Sequence, residues 1–300
     1  MSVFDPTVFD GNRNLLFTVA YRILGSAADA EDAVQDAWLR WSSSDRSQVA
    51  DPKAYLVRIV TNLAMDRLRS AKTRRETYVG PWLPEPILTT ADPTADPTAD
   101  ADSVSMALLM VLENLSPLER AVFVLKEAFG FSYAEIADAV QRTPEAVRQA
   151  GHRARGHVQA RRPKFRPTRT QHREVTERFF AAASGGDINT LMELLAPDVT
   201  LWTDGGGKVR QATRPVVGAK RVANWMAGVS KRPYEGVDPS AWTFEVVELN
   251  GSFGIVISGA GRVIGTLSVD LDDNGRIAGI LNVANPDKLH AVTAKTIHEI

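Results

Sequence analysis

Residues Ser132–Arg155, SYAEIADAVQRTPEAVRQAGHRAR, constrain this chain more than any other stretch. Ser132 with Glu135 three residues on has the spacing of a capping box, and Ile136, Ala137 and Val140 repeat as an apolar stripe. Thr143 stands where a second helix needs a cap, and Pro144 follows it in the first turn, where no backbone donor is missed. Val147, Ala150 and Ala154 then recur on an inward face. The outer face carries Glu145, Arg148, Gln149 and His152, flanked by Arg153 and Arg155. Arg reads guanine bidentately, Gln reads adenine, and guanidinium groups hold phosphate oxygens, so a helix-turn-helix lying in a major groove is expected. A helical hairpin with a solvated basic face is the alternative. Upstream, Ser116-Pro117-Leu118-Glu119 is another cap, followed by the stripe Leu118, Ala121, Val122 and Leu125. Three packed helices over Pro117–Val158 would make a small DNA-binding head.

Three hundred residues suit two or three small domains. The absence of cysteine excludes disulfides and thiolate metal sites. No apolar run is long enough to cross a bilayer and no leader pattern opens the chain, so a cytoplasmic protein is expected. The formal net charge of −1 hides an asymmetry: +1 over residues 1–80, −6 over 81–115, +6 over 116–171 and −2 over 172–300. Only the segment with the two-helix unit is clearly basic, where phosphate binding needs it.

The spacing predicts a helix over 9–24, ended by Gly25, and a second over Ala27–Trp41 with the stripe Val34, Ala37, Trp38 and Trp41. The opposite face of the second carries Asp29, Asp32, Gln35, Asp36 and Arg40, which on charge alone reads as a solvated surface. Asp51-Pro52 starts a third helix that buries Tyr55, Leu56, Ile59, Val60, Leu63 and Leu68 and turns Asn62, Asp66 and Arg69 away. Its end is cationic through Arg67, Arg69, Lys72, Arg74 and Arg75. A helix C-terminus favours such charge, but five cations in nine residues exceed that need and point to a nucleic-acid contact.

In order and spacing, DAEDAVQDAWLRW at 29–41, PKAYLVRIVTNLAMDRLRS at 52–70 and the stretch at 115–155 resemble regions 2 and 4 of extracytoplasmic-function RNA polymerase sigma factors. The resemblance implies core RNA polymerase and promoter DNA as partners. It assigns Asp29, Asp32, Gln35, Asp36 and Arg40 to the polymerase. Asn62, Asp66, Arg67, Arg69, Lys72, Arg74 and Arg75 fall to a melted minus-ten element, with Val49–Lys53 beside the pocket for an unpaired base. Arg142, Thr143, Arg148, Gln149, His152 and Arg153 fall to the minus-thirty-five element. Members often carry Gly at the corner where this chain has Gln141, and a left-handed conformation there costs Gln.

Residues 81–105, with the repeat ADPTADPTAD at 91–100, read as an extended acidic, Pro-rich linker, and 161–171 as a basic one. Beyond it, helices are expected over His172–Ala183, Asp187–Leu195 and Ala219–Ser230. Strands are expected over Val199–Thr203, Trp242–Leu249, Phe253–Ser258, Arg262–Leu271 and Ile277–Val283, with turns at Asn250-Gly251 and Asp273-Asn274-Gly275. This order resembles the SnoaL-like fold, a cone of curved antiparallel sheet against helices. With WLPEP at 82–86, DGGGK at 204–208 and NPDKL at 285–289, the whole resembles the SigJ-type subgroup, in which such an extension stands in for a separate anti-sigma factor.

The expected molecule is therefore multi-domain: all-α sigma region 2 over 1–80, all-α region 4 with its helix-turn-helix over 106–160, and an α+β SnoaL-like regulatory cone over 172–300. Its regulatory motifs are Asp204, Gly205, Gly206, Gly207 and Lys208, with Asn285, Pro286, Asp287, Lys288 and Leu289. Charge suggests that the acidic extension packs on the basic segment 116–171 near Asp204, Lys208 and Asn285–Leu289. For acid-base chemistry only Asp204 and Lys208 invite attention, and a tight turn with a surface ion pair explains them better. Trp202 and Trp225 read as core or pocket wall. His157, His172, His290 and His298 lack metal-ligand spacing, so no metal, cofactor or enzymatic activity is expected. A small-molecule ligand in the cone stays open, and the free protein is expected to be a monomer. The rival reading is a SnoaL-like enzyme or ligand sensor tethered to DNA by its helical half.

Overall fold

The computed structural model describes residues 7–44, 49–89, 105–160, 167–229 and 231–298, with the backbone alone over 71–76. The ADPTADPTAD repeat, residues 161–166 of the basic linker, and the side chains of Lys72, Arg74 and Arg75 lie outside what is described. No helix among the described residues is long and apolar enough to cross a membrane. The chain divides into two compact units that cut across sequence order: Met1–Glu76 with Leu108–Arg162, and Thr77–Ala107 with Pro163–Glu299.

The first unit is all helical. The expected helix over 9–24 is broken by a turn at Gly11 and Asn12 into α1 (Thr7–Asp10) and α2 (Arg13–Leu24), and Gly25 ends α2 in the left-handed region (φ 68°). α3 (Ala27–Ser43) starts on Ser26, whose side chain accepts from the Asp29 amide, and α4 (Pro52–Glu76) starts on Asp51, which accepts from the Ala54 amide. Leu16, Ile23, Ala33, Ala37, Leu56 and Ala64 fill the space between these helices and are buried. α5 (Met106–Leu112) leads to α6 (Pro117–Phe123), which continues as a π-helical turn over Val124–Ala128. α7 (Tyr133–Val140) and α8 (Pro144–Gln159) complete the expected head, with both capping boxes and the Thr143 cap in place. Gln141 takes the left-handed conformation at the corner (φ 52°, ψ 53°).

The two helical sets share one unit. Asn62 on α4 donates to the Ala139 carbonyl on α7 at 2.8 Å. Arg120 on α6, 1% exposed, donates through Nε to the Arg22 carbonyl at 3.2 Å and pairs with Glu113 through Nη1. Burial lowers the Arg120 guanidinium to about 9, so it keeps its charge at neutral pH beside that carboxylate.

The second unit is a mixed sheet against helices. Its strands are β1 (Leu88–Thr89), β2 (Leu195–Asp204), β3 (Val216–Val217), β4 (Trp242–Leu249), β5 (Ser252–Gly259), β6 (Arg262–Leu271), β7 (Ile277–Val283) and β8 (Ile297–His298), in the order β3-β2-β7-β6-β5-β4-β1-β8. The expectation of an antiparallel cone is corrected at two places: β2 runs parallel to β7, and β1 parallel to β8. Helices α9 (Arg169–Gly185), α10 (Ile188–Leu194) and α11 (Ala219–Val229) cover one face through Phe179, Leu191 and Val222, against Leu201, Ile255 and Ile280 of the sheet. A short α12 (His290–Thr293) precedes β8. The hairpin at Asn250-Gly251 has both residues at positive φ, and an unforeseen hairpin at Ala260-Gly261 has the same geometry.

The reading of 81–105 as a solvated spacer is corrected for its described first part. Leu83 and Ile87 are fully buried, Leu88 pairs in register with Leu249, and Asn250 exchanges hydrogen bonds with the Ile87 backbone. Two buried aliphatic side chains and an edge strand outweigh the stiffness and acidity that suggested an extended tether.

Candidate nucleic-acid interface and motif cluster

On α8, the inward positions Val147, Ala150, Gly151, Ala154 and Val158 are buried. A Cβ on Gly151 would meet the Tyr133 ring at 3.2 Å, so α7 and α8 approach closely there. This packing turns Arg142, Thr143, Arg148, Gln149, His152 and Arg153 outward, and all six are exposed. They are not equally available. Thr143 caps the helix through Ala146, Arg142 donates to the Gln141 carbonyl, and Arg153 is held by Glu119 at 2.7 Å. Burial pushes the Glu119 carboxyl up, but hydrogen bonds from Arg153 and Ser116 outweigh it and hold the acid below its ordinary range. Arg148, Gln149 and His152 have no hydrogen bond or ion pair among the described residues, so they form the open part of the face.

On α4, Asp66 and Arg69 are exposed and pair with each other at 2.6 Å. Arg67 reaches back to α3, bonding Asp36 at 2.5 Å and Asp32 at 3.4 Å. The structure thus joins residues expected to serve two partners, because α3 and α4 pack against each other and set their charged rims side by side. Asp29 is half-buried, and Gln35 and Arg40 are exposed. Asn62, expected to face outward, is instead half-buried, with its amide on the Arg58 and Ala139 carbonyls. Sequence periodicity within α4 could not show this, since α7 lies seventy-seven residues downstream.

In the second unit the three motif stretches converge. Asp204 is fully buried. Its Oδ1 accepts from the Tyr78 hydroxyl at 2.5 Å and the Gly206 amide at 3.1 Å; its Oδ2 accepts from the Leu83 amide at 2.8 Å and Lys288 Nζ at 2.7 Å. Lys288 also donates to the Leu83 carbonyl at 2.5 Å and lies 3.8 Å from the Trp82 ring centroid, a cation–π contact. Asn285 donates to the Tyr78 hydroxyl at 2.8 Å and caps the short turn Pro286–Lys288 through Asp287. Burial, and then the Asp204 carboxylate, push the Tyr78 phenol well above its ordinary range, so it stays a donor. The glycines answer to space: a Cβ on Gly206 would fall 2.3 Å from Asn285 Nδ2, in a backbone at φ 59°.

One expectation is corrected here. Asp204 pairs with Lys288 rather than with Lys208, and Lys208 bonds Asp287 at 2.5 Å on the surface. Within its own unit the cluster secures residues 78–83. The lure was the proximity of Asp204 and Lys208 in sequence; three glycines carry the chain round and separate them. With four donors on its two oxygens, Asp204 is a structural anchor rather than an acid-base group. Trp82 opens the WLPEP stretch singled out in the sequence, whereas Tyr78 was missed, because its partners Asp204 and Asn285 lie more than a hundred residues downstream.

A cavity of about 350 Å³ opens between the sheet and helices α9 and α11. Trp225 lines it, as expected of a wall residue; Trp202 is half-buried and is not among its lining. Among the described residues no three His, Cys, Asp or Glu side chains are grouped to hold a metal ion.

Residues 8–74 match the family model for Sigma-70 region 2, and residues 105–158 that for Sigma-70, region 4. The chain is 39% identical over 289 residues to the ECF RNA polymerase sigma factor SigJ of Mycobacterium tuberculosis (strain ATCC 25618 / H37Rv), across 93% of this chain and 91% of that one. The fold also resembles the crystal structure of the M. tuberculosis extracytoplasmic function sigma factor SigJ, with a TM-score of 0.75 at 36% identity, covering 96% of this chain and 99% of that one.

Proposed function

The chain belongs to the extracytoplasmic-function RNA polymerase sigma factors, and from that membership we propose how its parts divide the work of directing transcription initiation. Region 4 reads the minus-thirty-five element with Arg148, Gln149 and His152, while Arg142, Thr143 and Arg153 hold the corner and the adjacent phosphates. Region 2 takes the minus-ten element along α4 with Asp66, Arg67 and Arg69 and the cationic end at Lys72, Arg74 and Arg75. The acidic rim of α3, from Asp29 to Arg40, docks on core polymerase. Asn62 serves the unpaired base once it leaves the Ala139 carbonyl.

The SnoaL-like domain modulates this activity in place of a separate anti-sigma factor, and its cavity takes a small molecule. The motif cluster supports that role by tying the segment that follows region 2 into the regulatory fold, so a change in that fold is felt at residues 78–83. The single observation that carries the reading is the open Arg148–Gln149–His152 face on a packed helix-turn-helix, in a chain that also carries region 2. Purified protein added to core polymerase on a pooled genomic template tests it. Transcripts are expected to start at a restricted set of sites that share a two-part upstream sequence. Starts no different from those of core polymerase alone would refute it.

A further inference from the structure

The cavity of the second unit is walled by six aromatic side chains: Phe179, Phe180, Trp225, Tyr234, Trp242 and Phe244. Among the described residues no charged side chain lines it. Its polar groups are few, and their unmet needs are of one kind. Asn282, 7% exposed, donates from Nδ2 to the Thr266 carbonyl at 3.1 Å, which fixes the amide and leaves Oδ1 without a partner among the described residues. Gln211 donates from Nε2 to the Tyr234 hydroxyl at 3.1 Å, and its Oε1 is likewise buried and unpartnered. Both orphans are acceptors at the wall of an apolar chamber.

A buried acceptor without a donor costs roughly 5- to 150-fold in an equilibrium constant when a ligand could have supplied that donor. Two such acceptors behind one wall are therefore an argument about what belongs inside. Asn282 and Gln211 both line the chamber. Tyr234, whose hydroxyl accepts from Gln211, keeps its own proton to give. Burial pushes this phenol up to about 12, so it remains neutral at physiological pH.

We propose that this cavity binds a neutral, flat, largely aromatic molecule carrying a hydroxyl or N–H that donates to Asn282 Oδ1, with Gln211 Oε1 open to a second donor on the same molecule. Aromatic walls select the flat body by stacking and edge contacts. The absence of a cation in the lining selects against carboxylates and phosphates, which would be desolvated without compensation. The inference rests on reading the cavity as a ligand site and gives that ligand its class.

Equilibrium dialysis of the full chain against 2-naphthol, 2-methoxynaphthalene, naphthalene and 2-naphthoate tests it. The naphthol is expected to bind about tenfold tighter than its methyl ether, and the carboxylate not to be retained. Asn282→Leu should erase the preference for naphthol over its ether while the ether still binds. Gln211→Leu, at a half-buried position, should lower it in part, and circular dichroism checks that both variants fold. Naphthol and ether binding alike would overturn the donor requirement while leaving a ligand site. Retention of none of the four probes would overturn the ligand site itself. An undiminished preference in Asn282→Leu would remove Asn282 from the account.

Discussion

Gln141 turns the corner between α7 and α8 at φ 52°, a conformation that a residue with a Cβ pays for. Its side chain is exposed, so nothing it packs against offsets the strain. Gln141→Gly should therefore stabilise the first unit by about 1 kcal/mol, read as a rise in its urea midpoint, whereas Gln141→Val should lower it. His172 sets a second residue-scale expectation. Its Nε2 lies 3.1 Å from the Val269 carbonyl, and burial, against that hydrogen bond and with help from Arg169, holds the imidazole below its ordinary 6.5. The unfolded chain therefore takes up the proton first. The contribution of His172 to stability is complete above about pH 6.5 and is lost as pH falls towards the lower folded value. Urea midpoints followed from about pH 7.5 to about pH 5.5 should fall, and His172→Gln should flatten that fall.

At the scale of elements, most helices and strands were legible from period and caps: Ser132, Ser116 and Thr143 cap where the residue types say they should. The elements that stayed hidden are those whose partners are distant in sequence. β1 is two residues long and gains its place only from Leu249 and Ile297, and the parallel pairing of β2 with β7 joins segments about eighty residues apart. The exposed face of α8 was legible residue by residue, because an amphipathic helix declares its outer side. The burial of Asp204 was not, because its partners Tyr78, Leu83 and Lys288 come from three stretches of chain. Removing one member of a buried, fully bonded ion pair strands the other. Asp204→Ala should destabilise the second unit by about 3–5 kcal/mol and speed hydrogen exchange at residues 78–89 before the rest of the sheet. Lys208→Ala, which breaks only the exposed pair with Asp287, should move neither by more than about 1 kcal/mol.

The whole molecule is a sigma factor in which two helical sets share one unit and the segment following region 2 is built into the α+β SnoaL-like domain. The amide of Asn62 is engaged with the Ala139 carbonyl at 2.8 Å, so the role proposed for it at an unpaired base requires that this bond be released. The central claim is that two separate cationic faces, Arg148 with its neighbours on α8 and Arg69 with its neighbours on α4, engage different parts of one promoter. Sequencing the 5′ ends of transcripts made by core polymerase with the full chain tests this most directly. Arg148→Glu should deplete starts that depend on the minus-thirty-five element and reduce the salt slope of promoter binding by about 1. Arg69→Glu should spare that recognition yet cut the yield of open complexes, and the double reversal should abolish specific starts. Start sites and yields unchanged in the double variant would contradict the account.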